Sequence, residues 1–268
     1  MKVQDLFSVK GKVALVSGGS RGIGEMIAAG YLANGARVYI SSRTVDACDA
    51  AAERLMQNFG GECISIPGDV SVLAGIESIV AEVAKREDKL HILVNNAGTF
   101  WSDPIDEFPE EGWDKVMNTN AKATFFMMQK FLPLLRAAGT AEDPARVINI
   151  GSVDGLKNTR FENHSYGPSK AAIHHMTRQM STKLVKDNVI LNAIAPGPFP
   201  TRMLATGVGN GGDADGVDWE RVGKNNPRGR VGTAEDIAGL TLYLSSRAGA
   251  FTVGATITCD GGAVARAV

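Results

Sequence analysis

The sequence predicts a single α/β domain in which a parallel sheet is doubly wound, with helices covering both faces. Three observations predict it. Short runs rich in valine, isoleucine and leucine alternate with longer helical stretches along the whole chain. Several of these runs are apolar almost throughout rather than at every second position, as strands buried on both faces require. The chain is 268 residues long, a length that suits one large domain.

Taken in order, residues 12–17 (KVALVS) form the first strand, a glycine cluster follows, and residues 22–34 form a helix. Residues 37–42 (RVYISS) are a second strand and 45–59 a second helix; 62–66 is a third strand and 72–87 is helical. Residues 90–95 (LHILVN) are a fourth strand. Residues 112–138 can hold one long helix, with Pro133 near its end as a kink or stop. Strands at 146–151 (RVINIG), 189–195 (VILNAIA) and 255–259 complete the set, with helices at 165–187 and 234–245. Right-handed crossovers between such strands give the doubly wound arrangement. The stretch 205–226, containing GVGNGGDADG, stands apart as a long, glycine-rich, acidic loop. Loops of this kind are either functional lids or mobile insertions, and a substrate lid spanning 198–228 is the expectation.

Composition narrows the function classes. A hydrophobic fraction of 44%, a charged fraction of 21% and a net charge of −1 describe a globular protein with no nucleic-acid surface and no polybasic membrane anchor. Cys48, Cys63 and Cys259 are odd in number and widely spaced, so reduced thiols are expected rather than disulfides or a metal centre. Residues 1–12 show no secretory h-region and no apolar run reaches spanning length, which leaves the cytoplasm as the expected compartment.

The first strand runs directly into Ser17-Gly18-Gly19-Ser20-Arg21-Gly22-Ile23-Gly24. The first glycine permits a tight turn, and Gly22 and Gly24 let backbone approach a pyrophosphate and let the helix pack close to the strand. The helix start near Gly22 aims free N–H groups and the positive dipole end at that anion. A strand, a glycine turn and a helix opening a βαβ unit make the fold Rossmann-type.

The glycine spacing is GxxxGxG, and with three further stretches it resembles the short-chain dehydrogenase/reductase family. Those stretches are Asn95-Asn96-Ala97-Gly98 after the fourth strand, Tyr166-Gly167-Pro168-Ser169-Lys170, and Pro196-Gly197 after the sixth strand. The family's usual threonine before the first glycine is Ser17 here, which keeps the hydroxyl. Within the family, LPLLR with ARVINIGS and APGPFPTRM most resemble the bacterial NADPH-dependent β-ketoacyl reductases of the rhamnolipid-pathway type. The resemblance implies an oxidoreductase that interconverts a carbonyl and a secondary alcohol, built as a homotetramer or homodimer. It further implies cofactor contacts from Ser20, Ile23, Asp69, Val70, Asn96, Ala97, Gly98, Tyr166, Lys170, Pro196, Gly197, Phe199 and Thr201.

The cofactor choice is argued from the end of the second strand, Ser41-Ser42-Arg43. NAD-selective folds place a carboxylate there; none is present, and Arg43 with Arg21 can pair with a 2′-phosphate. NADP(H) is therefore expected over NAD(H).

Tyr166 and Lys170 are one helical turn apart on one face. Pro168 between them is tolerable if the helix begins near Ser165. A neighbouring ammonium can lower a tyrosine by roughly 1–3 pKa units, toward working pH. Ser152, ending the fifth strand, can bond the substrate oxygen. By resemblance Lys170 also bonds the nicotinamide ribose, and Asn120 holds a water in the proton relay, with Asn118 the competing choice. His164 either lines the pocket or is solvated, and His174-His175 lack ligand spacing for zinc. Trp101, Phe161, Phe199 and Met203 are either an apolar substrate wall or ordinary packing. The alternatives are an NAD-linked alcohol, polyol or steroid dehydrogenase of the same fold, and a non-catalytic NADP-binding regulator. The intact Ser152, Tyr166 and Lys170 argue against the regulator. An epimerase or dehydratase of the longer branch is disfavoured, because only 98 residues follow Lys170.

Overall fold

The computed structural model describes residues 2–158 and 161–265. Seven strands form one sheet: β1 (Val13–Ser17), β2 (Arg37–Ser41), β3 (Cys63–Ser65), β4 (Ile92–Asn95), β5 (Ala145–Ile150), β6 (Val189–Pro196) and β7 (Thr256–Cys259). Their order is β3-β2-β1-β4-β5-β6-β7 and every pairing is parallel. The chain reverses its direction of travel between β1 and β4, so the crevice at their carboxyl ends is where such sheets bind ligands.

Each strand serves two cores because side chains alternate across the pleat. Ala14 and Val16 of β1, with Ile92 and Val94 of β4, face α2 (Gly22–Ala33), α3 (Val45–Phe59) and α10 (Ala234–Ser245). Val13, Leu15 and Leu93 face the opposite way, toward α4 (Leu73–Ala84) and α6 (Ala123–Ala138). Both faces are apolar, so the strands read as continuous hydrophobic runs. α7 (Tyr166–Leu184) closes the second layer beside β6 and continues as a 3₁₀ turn, Val185–Asp187.

Two expectations change. Residues 112–138 do not form one α-helix: α5 (Glu110–Met117) passes into a π-turn, Asn118–Lys122, before α6 begins. Pro133 neither stops nor ends α6, which runs on to Ala138. The stretch 205–226 is not a bare loop. It contains part of α8 (Arg202–Gly207) and all of α9 (Trp219–Lys224), and Ala205 is fully buried. A short helix, α1 (Val3–Leu6), precedes β1. Among the described residues no helix is long and apolar enough to cross a membrane.

Candidate active site

The glycine turn is braced from the neighbouring strand. Ser17 Oγ accepts hydrogen bonds from the N–H groups of Asn96 (3.0 Å) and Ala97 (3.1 Å) and donates to Val94 O. Asn96 Nδ2 donates back to Ser17 O (2.9 Å) and Gly18 O (3.1 Å). Gly18 and Gly22 have φ of 65° and 57°, a region L side chains avoid. A Cβ on Gly24 would overlap the Gly18 carbonyl oxygen and the Asn96 amide. α2 begins at Gly22 with Arg21 as its N-cap and no side-chain cap, so its first-turn N–H groups are left for an anion. Side chains that would fill the cradle are excluded, and the residues present fit a dinucleotide pyrophosphate.

Gly19 N–H donates to Ser41 O (3.2 Å), which lays the turn against the end of β2. Ser42, half-buried, donates its hydroxyl to Thr44 O. Arg21 and Arg43 are exposed, and among the described residues neither guanidinium has a hydrogen-bond or ion-pair partner. Arg37 and Arg54, by contrast, are neutralised by Glu62, Glu87 and Glu25. Two unpaired cations beside a strand end without a carboxylate favour a phosphate there. Ser20 and Ile23 are half-buried in the turn, Val70 is buried, and Asp69 accepts Ser71 N–H with one oxygen.

The chemistry-bearing side chains gather at the carboxyl end of β5. Ser152 Oγ accepts the Asp154 N–H (3.1 Å) and lies near the Tyr166 hydroxyl. Tyr166 is the first residue of α7, so Pro168 falls in the first turn, where its missing N–H has no intrahelical partner to lose. Lys170 is buried; its Nζ donates to Ile150 O (2.9 Å) and lies 5.5 Å from the centroid of the Tyr166 ring. Desolvation pushes the Tyr166 phenol up to about 12, with the Ser152 hydroxyl pulling against it and the Asp154 charge adding to the rise. Burial brings Lys170 down to about 8, with Asp154 opposing. The expected lowering of Tyr166 by its ammonium neighbour is therefore absent. Lys170 reaches the strand-end carbonyl and the ring face rather than the phenolic oxygen.

Asn120 sits fully buried inside the π-turn. Its Oδ1 accepts Thr99 N–H (2.9 Å), and its Nδ2 donates to Thr99 O (3.0 Å) and Ser169 Oγ (2.9 Å). The Thr124 hydroxyl donates to its main-chain carbonyl at 2.7 Å, competing with regular helical bonding, while Ala123 N–H reaches back to Asn118 O. A Cβ on Gly98 would stand 3.4 Å from Asn120 Oδ1 and 3.5 Å from Lys170 Nζ, so the bare glycine leaves open space before both.

A family model described as enoyl-(acyl carrier protein) reductase matches residues 18–264. The chain is 44% identical over 256 residues to the rhamnolipids biosynthesis 3-oxoacyl-[acyl-carrier-protein] reductase of Pseudomonas aeruginosa, covering 96% of this chain and 97% of that one. The chain belongs to the short-chain dehydrogenase/reductase family. It is also 33% identical to the gluconate 5-dehydrogenase of Gluconobacter oxydans, over 98% of both chains. Among solved structures it resembles a Pseudomonas aeruginosa RhlG/NADP active-site complex, with a TM-score of 0.89 and 43% identity over 97% of this chain and 99% of that one. It likewise resembles L-sorbose reductase from Gluconobacter frateurii complexed with NADPH and L-sorbose, with a TM-score of 0.85 and 29% identity over 98% of this chain and 100% of that one.

As a short-chain dehydrogenase/reductase, the molecule brings Ser152, Tyr166, Lys170 and Asn120 to one edge of the sheet. Other candidates resolve differently. Phe199 is buried in the core, its ring so close to Gly232 that a Cβ there would strike it; its side chain is packing, not substrate wall, and only its backbone can meet a cofactor. Thr201 caps α8 by accepting Leu204 N–H, and its Cγ2 would be 3.2 Å from a Cβ on Gly22. Pro196 ends β6 and Gly197 sits tight against Asp260. Phe161 is exposed yet lies just within van der Waals reach of Gly207 in α8; Met203 is half-buried. Trp101 is wedged over Gly112, under the Lys115 ammonium, and donates to Asp103. His164 pairs with Glu162 (2.7 Å) and meets the Phe108 ring edge-on. Among the described residues no His, Cys, Asp and Glu cluster could hold a metal.

Sequence reasoning missed Asp154 and Asn163. The pair joins residues nine apart across an irregular loop, and no spacing rule flags it. It also missed the buried role of His174, whose ring underlies Gly151 and Gly155. Helical phase was the available signal, since His174 is one turn beyond Lys170 on the same face.

Proposed function

We propose that this enzyme reduces a ketone, foremost a 3-oxoacyl group, to a secondary alcohol with NADPH. The observation that carries the reading is the meeting of Ser152, Tyr166 and Lys170 beside a glycine cradle flanked by two unpaired arginines. In this reading Gly18 to Gly24 hold the pyrophosphate, and Arg21 and Arg43 hold the 2′-phosphate. Asn96, Ala97 and Gly98, the backbone of Pro196 to Thr201, and Asp69 with Val70 line the rest of the nucleotide. A bound NADPH supplies the hydride for the carbonyl carbon. Ser152 donates a hydrogen bond to the carbonyl oxygen, Tyr166 delivers the proton to it, and Lys170 bonds the nicotinamide ribose hydroxyls. Asn120 holds the proton-relay water between its turn and Lys170.

The 3-oxoacyl preference rests on the 44% identity to the Pseudomonas enzyme. Keto-polyols form the second reading, supported by the likeness to gluconate 5-dehydrogenase. We read residues 198–228 as the substrate lid, because α8 abuts the glycine turn at Thr201 and approaches Phe161 at Gly207. A homotetramer and a cytoplasmic location, where free Cys48, Cys63 and Cys259 stay reduced, complete the reading.

Initial rates with NADPH and NADH on 3-oxoacyl thioesters and keto-polyols test it. NADPH is expected to be favoured at least about tenfold, and Arg43→Ala to erase most of that preference. Tyr166→Phe is expected to lower kcat by about 10²–10⁴-fold with NADPH still bound. A tenfold NADH preference, or a fully active Tyr166→Phe, overturns it.

A further inference from the structure

Two hydrogen bonds and two side-chain approaches link the catalytic serine and tyrosine. The Asp154 N–H donates to Ser152 Oγ (3.1 Å). The Asp154 carboxylate lies near the buried Asn163 side chain. The main-chain oxygen of Asn163 accepts the Tyr166 N–H (2.9 Å). The Tyr166 hydroxyl meets Ser152 Oγ. Asn163 is buried, and Asp154 abuts the start of α7: a Cβ on Gly167 would lie 3.2 Å from its carbonyl oxygen. The two ends of the segment between β5 and α7 thus come together where Ser152 and Tyr166 sit.

We propose that Asp154 and Asn163 are a positioning pair that fixes the Ser152–Tyr166 contact, and that the Asp154 carboxylate biases the site toward proton donation. The inference rests on the catalytic reading of Ser152 and Tyr166 given above. With one Ser152 lone pair occupied by the Asp154 N–H, the serine O–H is directed toward Tyr166 and the substrate oxygen. The negative charge opposes phenolate formation and favours the Lys170 ammonium. Among the described residues, the charged and titratable groups around Asp154 are Lys157 on its own loop and Tyr166 and Lys170 on α7. His174 lies below Gly155 on the same helix. Burial raises the Asp154 pKa against the Asn163 side chain and the two lysines.

Asp154→Asn keeps the shape and removes the charge. In the cofactor-free protein, tyrosinate difference absorbance, with the Tyr166→Phe curve subtracted, isolates the Tyr166 titration. Its midpoint is expected to fall by roughly half a unit to one unit in Asp154→Asn. The alkaline limb of kcat/KM for reduction moves the same way, because the proton donor is lost earlier as pH rises. Asn163→Ala is expected to lower kcat about tenfold while leaving the NADPH Kd, measured by fluorescence, within about twofold. If Asn163→Ala does not fold, Asn163→Ser carries the same comparison. An unmoved Tyr166 midpoint in Asp154→Asn overturns the charge role, and native kcat in the Asn163 variant overturns the positioning role. A fully active Tyr166→Phe would instead remove the underlying catalytic reading, whereas an inactive one beside an unshifted Asp154→Asn removes this inference alone.

Discussion

At the residue scale, burial governs the titration of the groups on α7. Tyr166 is raised and Lys170 lowered chiefly by desolvation, so the site holds a protonated phenol beside an ammonium that gives up its proton at about 8. His174 is 3% exposed and is pushed down to about 4, first by burial and then by Lys170. Its unfolded-state value of 6.5 is higher, so the unfolded chain binds more protons between about 4 and 6.5. Stability contributed by the neutral ring is therefore complete above pH 6.5 and is lost as pH falls toward 4. We expect acid to cost the native protein about 2–3 kcal/mol through this one side chain. His174→Leu should flatten that part of the curve in urea melts taken from pH 7 to pH 4. An equally steep acid loss in the variant would show that other groups carry it. The position of His174 was legible from helical phase, but its burial was not, because polarity argues for solvent.

At the scale of elements, helix ends and irregular turns carry the site. α2 and α7 both begin where side chains or cofactor are handled, with Gly22 and Tyr166 as their first residues. The π-turn at Asn120 was invisible to sequence reasoning, since one extra residue in a single turn barely disturbs an apolar period. The stretch 205–226 was legible as unusual but not as carrying helices, because α8 and α9 are too short to show a period. Its far end is latched by Asn226, whose Nδ2 donates to Asp260 O (2.8 Å) and whose Oδ1 accepts Arg228 N–H (2.9 Å). Arg228 N–H also reaches Gly261 O (3.1 Å). Asn226→Ala removes a buried amide's bonds and should cost about 1–3 kcal/mol locally. Faster tryptic or elastase cutting within 198–228 and a KM for the carbonyl raised severalfold, with NADPH affinity unchanged, are the expected outcomes. Native proteolysis and KM would deny the latch its role.

At the scale of the whole molecule, the parallel sheet gives both layers their cores and leaves the chemistry on one edge. The opposite edge is fastened by Lys12, Asp143 and Arg146, with Arg146 buried at 1% exposure and bonded to Ser246 O. Phe251, in the turn that precedes β7, projects fully into solvent, and β7 is an edge strand among the described residues. An apolar ring beside an open strand edge is a feature that a second subunit would cover. Sedimentation equilibrium is expected to return four times the 28.3 kDa chain mass. Phe251→Asp is expected to shift that mass downward. A monomer at micromolar concentration would remove the tetramer from the reading.

The sequence by itself determined the doubly wound fold and the family, and it singled out the glycine turn, Ser152, Tyr166 and Lys170 as candidates. Those features depend on local period and on residue types at fixed spacing, both of which are written in one dimension. Only the tertiary structure decided which way Lys170 points, that Phe199 is core, and that Asp154 and Asn163 lie beside the serine and the tyrosine. Those depend on burial and on contacts between loops, and desolvation, the largest force on the site's titrating groups, exists only once the chain has packed around them.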